Sequence, residues 1–156
     1  MCRRQAAPLG GPLSAAIPIG WRLRAIAAAA IIPPLLEVVS LARLERFLRS
    51  AARVQLRSAP DDLTASKWVD EFLSRLRSPW SRTCLRRAAI LYYMLRSTGR
   101  MVSLCIGVRR DEHGALLAHA WLVRDGDIYV EPTGTSEVVS DYTLIAQFPS
   151  DAKTAA

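Results

Sequence analysis

The stretch MVSLCIGVRR, residues 101–110, marks the point where the chain changes from helix to strand. Up to Gly99 the apolar residues recur every three to four positions, which is typical of helices that bury one face. From Val102 to Val108 they alternate with small or polar residues, as in a strand with one buried face. Helices followed by strands predict one α+β domain, with the helices packed on a small antiparallel sheet.

Four helices are predicted before the strands, and proline or acidic residues mark their ends. Pro33 and Pro34 should end the first helix or kink it hard, because proline in a helix interior removes a backbone donor and clashes with the preceding turn. Asp61 or Asp62 is a suitable N-cap for the third helix. The predicted helices are residues 21–30, 35–56, 61–76 and 81–97.

The strands predicted after Gly99 follow one another as an antiparallel meander. A polar turn at residues 110–114 joins the first two, and Asp125-Gly126 is a strong hairpin signal between the second and the third. The predicted strands are residues 102–108, 116–124, 127–131 and 142–148.

Charge is distributed unevenly along the chain. Residues 1–100 hold 17 basic and 6 acidic side chains, whereas residues 101–156 hold 4 basic and 8 acidic ones. The basic part would attract an acidic peptide or an anionic membrane surface. Nucleic acid is not expected as a partner, because no motif that reads RNA or DNA is present. One interpretation is a non-catalytic basic helical adaptor that binds a membrane surface or, without such a motif, nucleic acid; the plainest is that the arginines solvate helices.

Cysteine and histidine are scarce. The cysteines are Cys2, Cys84 and Cys105, without a CxxC pair, and the histidines are His113 and His119. We therefore expect no disulfide framework, no zinc site and no cofactor, and a reducing, cytoplasmic location.

The longest uncharged stretch of the helical part covers residues 25–36. A bilayer span needs about 20 apolar residues. Since two prolines also interrupt this stretch, we expect no membrane-spanning helix.

Cys84, His119 and Glu131 are the candidate catalytic residues. Cys84 lies in the first turn of the fourth predicted helix, where unpaired backbone N–H groups and the helix dipole favour the nucleophilic thiolate. His119 lies on an otherwise apolar strand face, a sheltered position that suits a general base. Glu131 ends the next strand and would orient the imidazole, as the acid of a triad does. The plainer interpretations are a buried thiol, a core histidine and a strand-end acid.

The order of these three residues and their surroundings resembles the transglutaminase-like, papain-related cysteine hydrolases. WSRTCLRR (80–87) is similar to their nucleophile helix, and AHAW (118–121) to their His-Ala-Trp strand. VEPT (130–133) is similar to their Asp-Pro-Thr segment, with Glu in place of Asp.

Within that superfamily the chain most resembles the leader peptidases of lasso peptide biosynthesis, the small B-type processing proteins. CLRRA (84–88) and CIGVRR (105–110), together with the AHAW strand, carry this resemblance. The likeness covers residues 80–145 well. A departure is Arg86, where those peptidases often have proline.

The resemblance also implies a domain organisation. Residues 21–150 would form a single transglutaminase-like peptidase domain, in which residues 80–148 are the catalytic core and residues 21–76 an arginine-rich helical front. Residues 1–20, rich in Ala, Pro and Gly, are expected to be poorly ordered.

The function implied is that of a cytoplasmic cysteine peptidase, which removes the leader from a ribosomally made lasso precursor peptide before cyclisation. Cys84 would attack the scissile carbonyl, His119 would move the proton, and Glu131 would hold the imidazole. The Cys84 backbone N–H would be one oxyanion donor, with residues 80–82 suggested for a second. The alternative within the superfamily is another amide hydrolase or an acyltransferase.

The resemblance implies three partners. The first is the precursor peptide, with its leader and core. The second is a separate leader-recognition protein, docked on the helical front, because the chain leaves no room for a winged-helix recognition domain. The third is the lasso cyclase, which takes the freed core amine.

A triad of Cys84, His119 and Glu131 requires a particular register in the predicted hairpin, because His119 and Glu131 must lie on the same sheet face. With a two-residue loop, Glu131 would point to the sheet face opposite His119, since one residue of register flips a side chain. A three-residue loop over residues 125–127 pairs Trp121 with Glu131 and returns Glu131 to His119's face. We expect that loop, or a bulge with the same effect, and a His119 ring that faces the thiol. A solvent-facing Glu131 would make Asp141 the next candidate.

Overall fold

The computed structural model describes residues 17–51, 53, 56, 58–77, 83–131 and 139–149. Within these residues, helices precede a four-stranded antiparallel sheet, which confirms the α+β fold. The helices are α1 (Ile19–Val38), α2 (Leu41–Ala51), α3 (Asp62–Ser74) and α4 (Cys84–Arg96). The strands are β1 (Ser103–Arg110), β2 (Leu116–Arg124), β3 (Asp127–Tyr129) and β4 (Thr143–Phe148), with a 3₁₀ turn at Val139–Asp141.

The sheet has the strand order β3-β2-β1-β4. β1 pairs with β2 along its whole length, and the chain then returns so that β4 pairs with the other edge of β1. Among the described residues, β3 pairs only with residues 122–124 of β2. The earlier half of β2, which carries His119, therefore extends beyond β3 at that edge.

α4 is the central helix of the domain. It packs on β1 and β2 and also contacts the three other helices. A helix with neighbours on all sides must be apolar around most of its circumference. The buried apolar residues of α4 meet this requirement: Ala88, Ala89, Ile90, Leu91, Tyr92, Met94 and Leu95. The first turn of α4 is left at the margin of this core, and Cys84 lies there.

α1 does not end at Pro33 or Pro34, so the prediction of two separate helices on either side of the prolines is wrong. The helix continues to Val38, and the chain leaves it at Val39, which is extended. Pro33 lies in the buried row of α1 together with Trp21 and Ile32. Packing of this row into the core offsets the backbone hydrogen bonds that proline cannot make. α2 is correspondingly shorter than the second predicted helix.

By length and composition α1 could cross a membrane, contrary to our expectation that no helix would be long enough. About a third of its most apolar window is nevertheless buried inside the domain. Trp21, Ala25 and Ala28 belong to that buried part. A core helix passes the same test of length and composition, so this feature alone does not place the chain in a membrane.

The start of α3 holds the β2–β3 hairpin. The Asp62 carboxylate accepts a hydrogen bond from the Tyr129 hydroxyl and pairs with the guanidinium group of Arg100. Arg124 of β2 donates to the same hydroxyl at 2.9 Å. These contacts fix the hairpin to the helical layer, and with it the segment that leads to Glu131.

Candidate active site

Cys84 is the first residue of α4. Thr83 caps the helix, because its hydroxyl accepts a hydrogen bond from the Arg86 backbone N–H at 3.3 Å. The half-buried Cys84 Sγ lies 4.0 Å from the carbonyl oxygen of Ala118 in β2. The thiol is thus placed against the backbone of the residue that precedes His119.

The His119 imidazole is held in an aromatic pocket and is 8 % exposed. Its ring is stacked with Trp121, with ring centroids 5.9 Å apart, and lies 5.6 Å from the Tyr142 ring. Both neighbours limit the orientations that the imidazole can adopt. The sequence analysis identified His119 but missed the contribution of Tyr142, which comes from the segment before β4.

Gly107 makes room for these rings. It pairs with His119 across β1 and β2. A Cβ atom at this position would lie 2.8 Å from the Trp121 ring and 2.9 Å from the Tyr142 Cβ. A side chain here would therefore push the rings that hold the imidazole. A glycine inside a strand is the signal that could have indicated this close packing.

The β2–β3 hairpin has a two-residue loop, so the predicted three-residue loop is wrong. Arg124 pairs with Asp127 across the turn. Asp125 and Gly126 have φ angles of 54° and 90°. This is the left-handed geometry of the tight turns that match the twist of paired strands, and the Asp-Gly sequence favours it more than a longer loop.

Val130 produces the effect that we expected from a longer loop or a bulge. β3 ends at Tyr129, and Val130 has a φ of 50°, so the alternation of an extended strand stops there. Glu131 is thereby turned back towards β2. Its Oε2 atom lies 3.8 Å from the Nε2 atom of His119. This is an ion-pair distance and is longer than a hydrogen bond.

Cys84 and His119 meet β2 at adjacent residues. His119 shares a sheet face with Trp121, whereas Ala120 packs in the core on the α4 side. Cys84 contacts β2 at Ala118, one residue from His119. The candidate nucleophile and base are brought to adjacent residues of one strand, beyond the end of β3.

Cys105 differs from Cys84 in its surroundings. It is buried in β1 and packs with Trp121 and Tyr142. This burial raises the pKa of the Cys105 thiol to about 11. At neutral pH it stays protonated, and the thiolate is the nucleophilic form of cysteine. Cys105 is therefore a core residue, and Cys84 is the better candidate.

Arg87 is a site residue that the sequence analysis did not single out. It lies one helical turn after Cys84 and is 3 % exposed. Its Nη1 atom lies 3.5 Å from Oε1 of Glu131, the oxygen that is not directed at His119. From the sequence, the arginines near Cys84 were expected to contribute positive charge alone. The signal that could have identified Arg87 is its position, because an arginine three residues after the nucleophile falls on the same helix face.

Other predicted elements do not add to this site. Asp141 lies in the 3₁₀ turn and is exposed. The suggested oxyanion donors at residues 80–82 and the Pro132-Thr133 pair lie outside the described residues. Within the described ranges, no three His, Cys, Asp or Glu side chains converge where a metal ion could bind.

A family model of the transglutaminase-like superfamily matches residues 15–147, which is most of the chain. The chain belongs to the transglutaminase-like superfamily. Cysteine-dependent enzymes make up this superfamily in general, so membership indicates peptidase or acyltransferase chemistry at a cysteine. No curated protein and no solved structure matches the chain.

Proposed function

We propose that this transglutaminase-like protein is a cysteine peptidase that removes the leader from a ribosomally made lasso precursor peptide before the core is cyclised. The observation that carries the catalytic part is the arrival of Cys84 at the β2 residue next to His119, which is paired with Glu131. The resemblance of residues 84–88, 105–110 and 118–121 to leader peptidases supports the substrate class.

In the proposed reaction, His119 accepts the thiol proton of Cys84 while Sγ attacks the carbonyl carbon of the scissile bond. The C–N bond then breaks, and His119 returns the proton to the amine of the core peptide. The leader remains on Sγ as a thioester. His119 next takes a proton from water, whose oxygen attacks the thioester carbonyl. The C–S bond breaks, the leader leaves as a carboxylic acid, and His119 returns the proton to Sγ of Cys84.

Glu131 orients the base in this mechanism. Because Nε2 of His119 is directed at Glu131, Nδ1 is the nitrogen that we assign to the proton of Cys84. A carboxylate beside the ring stabilises the imidazolium that forms when the thiol ionises. The backbone N–H of Cys84 lies at the start of a helix, where such donors are available for the oxyanion.

The helical front is the surface that we assign to the leader-recognition protein and its bound precursor. Arg22, Arg43 and Arg46 are exposed there. Ile31 and Phe47 are each 48 % exposed and line an apolar groove between α1 and α2. Exposed arginines on the same two helices as an apolar groove suit an acidic, amphipathic segment. The lasso cyclase would then use the core amine that the peptidase releases.

We place this reaction in the cytoplasm, where precursor peptides are made and thiols stay reduced. An anionic membrane is the competing ligand for the helical front. Flotation with vesicles that contain anionic lipid separates the two. Binding of the partner–precursor complex without co-flotation supports the proposal, whereas flotation with no binding of that complex favours the membrane adaptor.

The test is processing of a lasso precursor in the presence of its leader-recognition protein, followed by mass spectrometry. We expect two products, an intact leader and a core with a free amine. The matched control is the same precursor with a scrambled leader, which should remain uncut. Equal cleavage of both would overturn the leader specificity. Transfer of the acyl group to an added amine, without hydrolysis, would favour the acyltransferase alternative.

A further inference from the structure

We propose that Arg87 is a positioning residue, which sets the place of Glu131 beside His119. The inference rests on the roles of His119 and Glu131 proposed above, but not on a lasso precursor as substrate. It is carried by five contacts of one buried guanidinium group.

Asp70 of α3 fixes the plane of this guanidinium group. Nε of Arg87 donates to Oδ1 of Asp70 at 2.7 Å, and Nη2 donates to Oδ2 at 3.1 Å. Two parallel hydrogen bonds of this kind give arginine a defined orientation that a lysine ammonium group cannot adopt. The remaining edge of the group is therefore directed away from α3, towards the segment that follows β3.

The carbonyl of Val130 is held by the same group. Nη2 of Arg87 donates to this carbonyl at 2.6 Å, and the Ser66 hydroxyl donates to it at 3.2 Å. Ser66 in turn accepts from Nη2 of Arg87 at 2.8 Å. Val130 has a left-handed φ of 50°, which is costly for a β-branched residue. Two donors on its carbonyl stabilise the turn that directs Glu131 to His119.

The Glu131 carboxylate lies between Arg87 and His119. Oε1 is 3.5 Å from Nη1 of Arg87, and Oε2 is 3.8 Å from Nε2 of His119. Asp70 accepts two hydrogen bonds from the same guanidinium group, so Arg87 is shared between two carboxylates. With Asp70 and Glu131 ionised, the cluster keeps one negative charge in excess. In the proposed reaction, the imidazolium that forms when Cys84 gives its proton to His119 balances that charge.

Alkylation of Cys84 by iodoacetamide tests this role without any peptide substrate. The rate is measured from about pH 5 to pH 9, the range in which histidine titrates, for Arg87→Lys, Glu131→Gln and the double variant. We expect each single variant to slow alkylation at neutral pH roughly ten- to a hundredfold. The double variant should be no slower than Glu131→Gln, because Arg87 acts through Glu131.

Arg86→Lys is the matched control on the same helix turn. Arg86 pairs with Glu37 of α1 at 2.9 Å, away from Glu131. We expect this variant to keep the wild-type profile. Where Arg87→Lys does not fold, Ser66→Ala replaces it, because it removes one acceptor of Arg87 and one donor to Val130. It should also slow alkylation at neutral pH, by a smaller factor than the other single variants.

Three results would overturn the inference. One is a folded Arg87→Lys, or Ser66→Ala in its place, with the wild-type profile. Another is a double variant slowed by the product of the single effects, which would make Arg87 independent of Glu131. The third is a wild-type Cys84 no faster than in Glu131→Gln, which would also overturn the triad. Failure of the wild type to cut a lasso precursor would overturn the substrate and leave the Arg87 result standing.

Discussion

Arginine has different surroundings in the helical front and in the catalytic core. Arg22, Arg43 and Arg46 of the front are exposed to solvent. Arg87 of the core is 3 % exposed and contacts two carboxylates, a hydroxyl and a backbone carbonyl. Exposed charges act at a distance and are screened by salt, whereas a buried guanidinium group fixes the atoms around it. The exposed arginines of the front are thus suited to attracting a partner, whereas the buried Arg87 of the core is suited to holding the site residues in place.

The largest expected effect separates the two cysteines of the core. Cys84→Ala should abolish leader removal with the fold intact, because the Cys84 thiol lies at the start of α4 against the residue that precedes His119. Cys105→Ala should keep most of the activity, since the buried Cys105 thiol has a pKa of about 11. Cleavage rates, with mass mapping of the alkylated cysteine, check this. An inactive Cys105 variant beside an active Cys84 variant would reassign the nucleophile.

The second effect concerns Glu131 within the core. Glu131→Gln keeps the shape of the side chain but removes the charge that stabilises the imidazolium. We expect kcat to fall about 10²- to 10⁴-fold with little change in KM. Steady-state kinetics on the precursor measure both constants, and thermal unfolding verifies the fold. Asp141→Asn is the matched control, and a similar loss there would make Asp141 the third member of the site.

These two regions also differ in how far the sequence predicted them. The bounds of β2, residues 116–124, agree with the structure, because strict alternation and a strong turn signal define a strand at both ends. α1 was predicted to stop at Pro33, since local rules do not include the burial of that residue in the core. Tertiary packing thus determines where α1 ends.

The candidate site shows the same division. Cys84, His119 and Glu131 could be selected from residue type and order along the chain. Their relative placement could not, because it depends on the left-handed Val130 and on the contacts that hold its carbonyl. Those contacts come from Arg87 and from α3, and nothing in the local sequence around Val130 indicates them.

The third effect tests the helical front. Replacing both Arg43 and Arg46 by Glu should weaken binding of the partner–precursor complex roughly tenfold at low salt, with kcat unchanged at saturation. The difference should shrink as ionic strength rises, because exposed charges are screened within about 10 Å at 0.1 M salt. Titration calorimetry at two salt concentrations measures it. Replacing both Arg77 and Arg110 by Glu, two exposed reversals outside the helical front, is the control of equal charge; an equal loss there would indicate net charge rather than a docking surface.

The smallest expected effect is on stability, and it distinguishes the N-cap of α3 in the front from the N-cap of α4 in the core. Asp61 caps α3 by accepting a hydrogen bond from the Thr64 backbone N–H at 2.9 Å. Asp61→Ala should lower the free energy of unfolding by about 1 kcal/mol at neutral pH and leave the activity unchanged. Hydrogen bonds from Thr64 lower the pKa of Asp61 below its ordinary value of 3.8. The stabilisation is therefore present above that value and is lost as the pH falls through the folded-state pKa.

Thr83 of the core gives the contrasting cap. Its hydroxyl accepts from the Arg86 N–H at 3.3 Å, a longer bond beside Cys84. Thr83→Ala should lower the free energy of unfolding by at most about 1 kcal/mol. This loss should not depend on pH below pH 5, because a hydroxyl does not ionise there. The variant should also slow alkylation of Cys84. Chemical denaturation at pH 7 and pH 3, with alkylation rates, distinguishes the two caps. A loss of stability at pH 3 as large as that at pH 7 for Asp61→Ala would contradict the carboxylate cap. Unchanged alkylation for Thr83→Ala would show that the reactivity of Cys84 does not depend on how α4 begins.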